Sequence, residues 1–439
     1  MMDSILVNVD RINMSIVCRV CVMSDQTDGG HRLSTQEAAR ALGVKPATVY
    51  AYVSRGQLTS RRDPTGRGSS FDAAEVESLA RRSRREAAAP TGDLTVRTSL
   101  TLIEPDRYYF RGVDAVELAS RYRYEEVAEW LWTGAIAPGA RFTAPPQALA
   151  AARRAVAALP EHSGPIDRLR VAVAAAAVAD PLRFDLSEEA VLGSARALVP
   201  TLVGALPAAG PDGWAGDGRI ARQLWSRLTA REPDPDALAV LDLALALLVD
   251  HDLAASTLAV RVAASARAHP YAAVSAGLGA LEGPLHGAAG RLAHRMLVEV
   301  LEQGGAAPVV AEYLRAGRRV PGLGHRLYQG EDPRARALFA RLETLEQAGP
   351  ALGAAREVAA VMARQGGLHA NVDLALAVLT VSCGMPAEAG ETVFAVARTA
   401  GWIAHALEEY QERPLRMRPS GQYHGPRPPQ PMPEPAPEA

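Results

Sequence analysis

The stretch Pro321 to Arg334 reads PGLGHRLYQGEDPR. Its Gly-x-Gly turn, Gly322 and Gly324, lets the backbone bend tightly and come close to a ligand. The turn presents His325, whose imidazole can donate a hydrogen bond to a carbonyl. Arg334 follows directly after Asp332 and Pro333, and its guanidinium can grip a carboxylate through two parallel bonds. Other polar groups interrupt apolar, helical sequence. VDHDLAAST, Val249 to Thr257, sets Asp250, His251 and Asp252 beside a run of leucines and alanines. Burying these groups is costly unless they pair or bind a ligand. GPLHGAAG, Gly283 to Gly290, fixes His286 at a turn entering a helix. There the backbone N–H groups and the helix dipole favour a neutral, donating imidazole. HANVDLALAVL places Asn371 and Asp373 at a helix start, where a lone aspartate is ordinarily an N-cap.

Together these stretches resemble the citrate synthase family, over roughly Thr98 to Gly425. The opening segment, TSLTLIEPDRYYFRGVDAVELASRYRYEEVAEWLWTGAIAP, carries the pattern at Tyr109, Arg111, Gly112, Glu125, Glu126, Val127, Leu131 and Gly134. The resemblance implies that His286, His325 and Asp373 are catalytic. It implies a substrate-binding set of His251, Arg334, Phe394, Arg398 and Arg418, with Arg418 reaching into the partner subunit's site of a homodimer. Gly322, Gly324 and Asn371 fall at the acyl-CoA site, and Arg318, Arg319 and Arg364 are candidates for the CoA phosphates. The chain departs from the family at Asp252, where glutamate is usual, and at Gly290 and Arg291, where asparagine and glutamate are usual. Leu248 stands where some members have another histidine.

The implied reaction condenses oxaloacetate with acetyl-CoA, or with propionyl-CoA, and hydrolyses the resulting thioester to citrate or 2-methylcitrate and CoA. A dicarboxylic keto acid needs several cationic donors, which Arg334, Arg398, Arg418 and His251 would provide. Asp373 would take the proton next to the thioester carbonyl. His286 would donate to the enol oxygen, and His325 would polarise the keto carbonyl. No permanently bound cofactor is implied, since acyl-CoA is a co-substrate, and no metal site.

These residues must be held by a mainly α fold. The 439 residues suit two or three domains, and 48% hydrophobic with 22% charged residues is an ordinary globular composition. From Pro145 to Leu248 the chain is Ala/Leu/Val/Arg-rich with helical periodicity and almost no strand-like alternation, which predicts a helical bundle. The family fold is a large and a small helical subdomain, the small one over roughly residues 285–385. A net charge of −2 gives no bulk attraction to nucleic acid or membrane. No apolar run approaches the ~18 residues that span a bilayer, and the N-terminus lacks the order of a secretory signal. Cys18, Cys21 and Cys383 are too few for a disulfide framework, which fits a cytoplasmic protein.

A separate module precedes the enzyme-like region. LSTQEAARALGVKPATVYAYVSRGQL offers Ser34 or Thr35 as a cap answered by Glu37, a small apolar face of Ala38, Ala39 and Leu42, a break at Gly43 and a second helix from Pro46. A turn-rich hairpin and a third helix follow. The stretch resembles the MerR/excisionase-type winged helix-turn-helix. Residues 31–90 hold 11 Lys+Arg against 6 Asp+Glu, a local +5. Thr48, Tyr50 and Arg55 on or beside the second helix, with Arg61, Arg62 and Arg67 on the wing, are the candidate DNA contacts. The predicted order is an extension over residues 1–30, the winged module over 31–88, a linker over 89–97, the synthase-like region over 98–425 and a disordered Pro-rich tail over 426–439. A rival reading follows from the fused module and the departures at Asp252, Gly290 and Arg291: a DNA-binding regulator whose synthase-like domain senses a carboxylate or acyl-CoA.

Overall fold

Where the sequence after Pro145 lacks alternation, the chain is helical throughout its regular elements. The computed structural model describes residues 32–79 and 96–427 apart from 43, 55–57, 63–67, 78, 212–216, 284–286, 288, 367 and 420–423, together with residues 430 and 432 of the tail. The predicted N-terminal extension, most of the predicted linker and tail, and the candidates His286, Arg55 and Arg67 therefore lie outside the described residues. The chain divides into two compact units, Met1–Val96 and Arg97–Ala439.

In the first unit, helices Thr35–Leu42 and Pro46–Ser54 stand beside a small antiparallel sheet. Its strands, Arg32–Ser34, Ser60–Arg62 and Ser69–Asp72, are ordered first, third, second, with Leu33 opposite Phe71 and Ser60 opposite Phe71. Ser34 makes the predicted cap: its Oγ accepts from the Glu37 N–H, and Glu37 Oε2 accepts from the Ser34 N–H. A core of Ala38, Ala39, Val49, Leu58, Phe71, Val76 and Leu79 holds the elements together. Tyr50 is 49% exposed, its hydroxyl 3.3 Å from Thr35 Oγ1, while Thr48 is half-buried and Arg61 exposed.

The second unit opens with an antiparallel sheet of Thr101–Ile103, Tyr108–Phe110 and Val113–Asp114. Arg111 and Gly112, at φ 50° and 81°, form the tight turn between the last two strands, the geometry that suits the twist of a hairpin. The strain at Arg111 is offset by its guanidinium, which donates to the carbonyls of Leu131 and Trp132. Three helices then form the centre. Pro235–Leu248 is buried at every residue from Val240 to Leu248, Val372–Ser382 is buried almost throughout, and Ala389–Gln411 is buried along most of its 23 residues. Helices apolar on all sides belong in a protein's interior. They bring polar groups to the candidate site: the first leads into Asp250 and His251, the second begins with Asp373, and the third carries Arg398.

Candidate active site

The site is built on a backbone clasp. Residues 322–324 lie against residues 369–371: Gly324 N donates to His369 O at 2.7 Å, Asn371 N to Gly322 O at 3.0 Å, and Asn371 Nδ2 to Gly324 O at 2.9 Å. Gly322 and Gly324 both sit in the left-handed region, at φ 77° and 76°. At Gly322 an added Cβ would also stand 2.8 Å from Leu374 Cβ. Gly322→Ala is therefore expected to lower stability by about 2–4 kcal/mol, the left-handed penalty and an overpacking clash together, read as a drop in the urea midpoint. Asn371 is also the N-cap of Val372–Ser382, its Oδ1 accepting from Asp373 N at 3.0 Å. The capping role that a lone aspartate would ordinarily take falls to Asn371, and the Asp373 carboxylate is released from it.

The clasp sets His325 beside Arg334. Nδ1 of His325 accepts from the Leu327 and Tyr328 N–H groups at 3.0 and 3.3 Å, and the other ring nitrogen, Nε2, also faces a donor, since a guanidinium cannot accept. That nitrogen lies 3.2 Å from an Arg334 Nη. Arg334 is buried, and the carboxylate it grips is its own N-cap: Nε and Nη2 reach the two oxygens of Asp332 at 3.0 and 2.8 Å. Asp332 Oδ2 also accepts from Val372 N at 3.0 Å, tying the helix Pro333–Leu342 to the one that carries Asp373. His251, buried, meets the Tyr328 hydroxyl at 2.9 Å, and its ring stands perpendicular to that of His325 with centroids 5.3 Å apart.

Arg398 completes the cationic cluster. Its Nε donates to Leu248 O at 2.9 Å, its guanidinium lies 4.6 Å from the Phe394 ring centroid, and one terminal nitrogen is buried with no hydrogen-bond partner. An unpartnered buried donor is expensive, and a ligand carboxylate would satisfy it. Burial together with the neighbouring Arg334 pushes the Arg398 pKa down to about 10, against the opposing charge of Asp250. Burial and the Arg334 charge likewise push His325 down to about 4 and hold His251 well below the ordinary imidazole value. Both rings are neutral donors or acceptors at pH 7. Burial pushes the Asp373 carboxyl up to about 6, with Asp332 adding to the rise and Arg334 opposing it. Such a carboxylate is ionised at neutral pH yet basic enough to take a proton.

The structure thus brings His251, His325, Arg334, Phe394, Arg398 and Asp373 into one region. Arg418 is not among them; it is exposed, on the segment after the last helix. His286 lies outside the described residues, but its neighbour Gly290 packs near Asp373, where an added Cβ would be 3.6 Å from Oδ1. Reading residue types missed Tyr328 and Asp332. Both stand inside PGLGHRLYQGEDPR, and the signal lay in the i, i+2 pair Asp332–Arg334 across a proline. The departures from the family pattern have local accommodations. Asp252 adopts φ 57°, a conformation aspartate tolerates better than most residues. The charge of Arg291 falls on the buried Glu391, whose pKa burial raises and Arg291 moderates.

Among the described residues, no group of three or more His, Cys, Asp or Glu could hold a metal ion, and no helix is long and apolar enough to cross a membrane. A cavity of about 650 Å³ lined by Arg121, Arg123, Asp242 and Arg341 opens elsewhere and shares none of the clustered residues.

The model of the citrate synthase C-terminal domain matches residues 91–420. Citrate synthase of Haloferax volcanii is 33% identical over 359 residues, covering 76% of this chain and 94% of the relative. Citrate synthase 2 of Bacillus subtilis is 30% identical over 353 residues, covering 76% and 95%. The crystal structure of citrate synthase from Thermotoga maritima superposes with a TM-score of 0.62 at 26% identity, covering 79% of this chain and 98% of that one. The chain belongs to the citrate synthase family.

Proposed function

We propose that the chain condenses oxaloacetate with acetyl-CoA and hydrolyses the product thioester. The observation that carries this reading is a buried guanidinium with an unpartnered donor, Arg398, in the region that also holds a carboxylate of raised pKa, Asp373, and a neutral histidine, His325. Arg398 and Arg334, with His251, would hold the keto dicarboxylate, and Phe394 would wall the guanidinium of Arg398. Asp373 would take a proton from the carbon next to the thioester carbonyl. His286, by its position in the family pattern, would donate to the enol oxygen that results. The new carbon–carbon bond would form at the keto carbon, whose oxygen would take a hydrogen bond and then a proton from His325. The proton lost to Asp373 balances the one that oxygen gains. Water then cleaves the thioester, releasing the carboxylate product and the CoA thiol. Gly322, Gly324 and Asn371 would place the acyl-CoA beside the clasp they form.

Arg418 fits the role of a donor to the partner subunit's site, because it lies on an exposed segment apart from its own protomer's cluster. We place the protein in the cytoplasm. For the N-terminal unit we propose a winged helix-turn-helix that meets DNA through Pro46–Ser54, with Thr48 and Tyr50, and through a wing bearing Arg61, Arg62 and Arg67. Arg55 would stand just after that helix. A basic module of this kind should show binding that weakens steeply with salt.

The deciding experiment is CoA thiol release by the purified protein, given oxaloacetate with acetyl-CoA and then with propionyl-CoA. Turnover is the expected result, and the ratio of the two rates names the preferred acyl group. Absence of turnover with both, alongside measurable oxaloacetate binding, would move the assignment to a ligand-sensing regulator.

A further inference from the structure

Behind Arg398 lies a buried polar chain that none of the steps above uses. Asp250 is fully buried; its Oδ2 accepts from Thr101 Oγ1, and its Oδ1 lies 3.2 Å from His405 Nε2, close enough for charge attraction but without hydrogen-bond alignment, so both atoms are buried with no hydrogen-bond partner. The other ring nitrogen, Nδ1, is 2.8 Å from Arg261 Nη1. A guanidinium only donates, so Nδ1 accepts and the ring's proton stands on Nε2, facing Asp250. Arg261, 1% exposed, also donates to Glu408 at 2.8 Å and to Glu409 at 3.2 Å, and Glu409 accepts both nitrogens of Arg416 at 2.8 and 2.6 Å. Arginines 398, 261 and 416 thus balance the carboxylates of Asp250, Glu408 and Glu409, with His405 standing between Asp250 and Arg261.

The spacing gives this chain its purpose. Arg398, Gly401 and His405 lie on one face of Ala389–Gln411, at i, i+3 and i+7. Each meets a successive part of the segment that leads into His251. Arg398 Nε donates to Leu248 O; Gly401 leaves room for Val249 O, which would stand 2.1 Å from an added Cβ; and His405 faces Asp250. The Arg398 nitrogen left without a partner is at one end of this register, and the His405 link is at the other. The Arg398 guanidinium carries no hydrogen bond to Asp250 among those found, so its place depends on where the helix sits against that segment.

We propose that His405 is a positioning residue for the oxaloacetate site, acting through Asp250 to fix the register that aims Arg398 and His251. Thr101 is the second hand on the same carboxylate. The inference rests on the proposed condensation, since it assigns Arg398 and His251 to oxaloacetate.

The test is the steady-state kinetics of the full-length protein carrying His405→Gln, Thr101→Val or Thr101→Ser. His405→Gln keeps a donor for Asp250 but not the rigid ring that also meets Arg261. Thr101→Val removes only the hydroxyl, at nearly constant volume, and serves if His405→Gln does not fold. The expected result is a rise in the oxaloacetate KM for both, of about tenfold for Thr101→Val, the scale of one lost hydrogen bond to a charged group. The acyl-CoA KM should stay within twofold, and Thr101→Ser should restore the oxaloacetate value. A purely structural role would lower the thermal midpoint and leave the two KM values unmoved, or move them together; either result overturns the proposal. Turnover by the unaltered protein separates the two claims. Its absence overturns the condensation reading, whereas normal turnover with an unmoved oxaloacetate KM in the variants overturns the positioning role alone.

Discussion

Asp373→Ala is expected to lower the rate of CoA release by about 10³–10⁴-fold, the upper range for removal of a positioned general base, while oxaloacetate affinity stays within a few fold. The asymmetry follows from the geometry. The groups placed to hold a dicarboxylate are Arg334, Arg398 and His251, and none is bonded to Asp373; the helix start is capped by Asn371. Loss of the carboxylate leaves the cap, the clasp and the cationic cluster in place. The pH profile of the unaltered enzyme gives an independent check. A base must be ionised to act, and the Asp373 carboxyl is pushed up to about 6. The kcat/KM for acyl-CoA should therefore be level above pH 7 and fall about tenfold per unit below 6. His325, pushed down to about 4, stays neutral over most of that limb, so the limb reports Asp373. A second consequence concerns stability. A carboxyl whose folded pKa lies above its unfolded value of about 3.9 binds its proton more tightly in the folded state. Stability is then lost as pH rises through that window, and the full penalty stands above pH 6. Asp373→Asn should raise the melting temperature at pH 7.5 while abolishing turnover, the trade of stability for activity expected at a functional carboxylate. Undiminished turnover in the alanine variant would remove Asp373 from the mechanism.

The sequence carried the elements of this site more plainly than their connections. His325 and Arg334 stand out as polar groups in apolar or glycine-rich surroundings, where a polar group is costly without a task, whereas Asp373 reads as an ordinary N-cap until the family resemblance gives it a role. The helices were legible for the same reason in reverse: Pro235–Leu248 and Val372–Ser382 are almost without polar residues. What residue types cannot supply is the pairing between distant stretches. Asp332 looks like an ordinary cap before Pro333, and nothing local says that its second oxygen accepts from Val372, forty residues on. Tyr328 reads as one more aromatic in a loop until its hydroxyl is found on His251. The arginine of the motif has a similar lesson. Its two parallel bonds were read as a grip on a ligand, and the structure gives them to Asp332. Arg398, which no local motif marks beyond its place in a helix, has a buried nitrogen with no hydrogen-bond partner.

That division of labour makes Asp332→Ala the most damaging single change expected for the fold. Asp332 is 1% exposed and Arg334 3%. Burial alone would raise the Asp332 pKa and weaken the Arg334 charge, yet each holds the other ionised: Asp332 lies below the ordinary carboxylate value and Arg334 above the ordinary guanidinium value. Removing one partner of a buried pair leaves an uncompensated charge, which costs about 3–5 kcal/mol, and loss of the N-cap adds about 1 kcal/mol. The sum approaches the whole stability of many domains. Urea denaturation followed by circular dichroism should show a large fall in midpoint or no folded baseline at all. Asp332→Asn separates the two contributions, since the amide oxygen still caps the helix and can still accept from Val372 while the charge is gone; it should fall between the alanine variant and the parent. A midpoint shift worth under about 1 kcal/mol for alanine would mean that Arg334 reaches water or another acceptor when Asp332 is gone. Arg334 would then be free to act as a ligand's clamp rather than as the post on which His325 and the Asp373 helix are hung. With the pair intact, Asp332 fixes the Arg334 guanidinium beside His325, and in the proposed reading Arg334 and Arg398 would share the hold on the dicarboxylate.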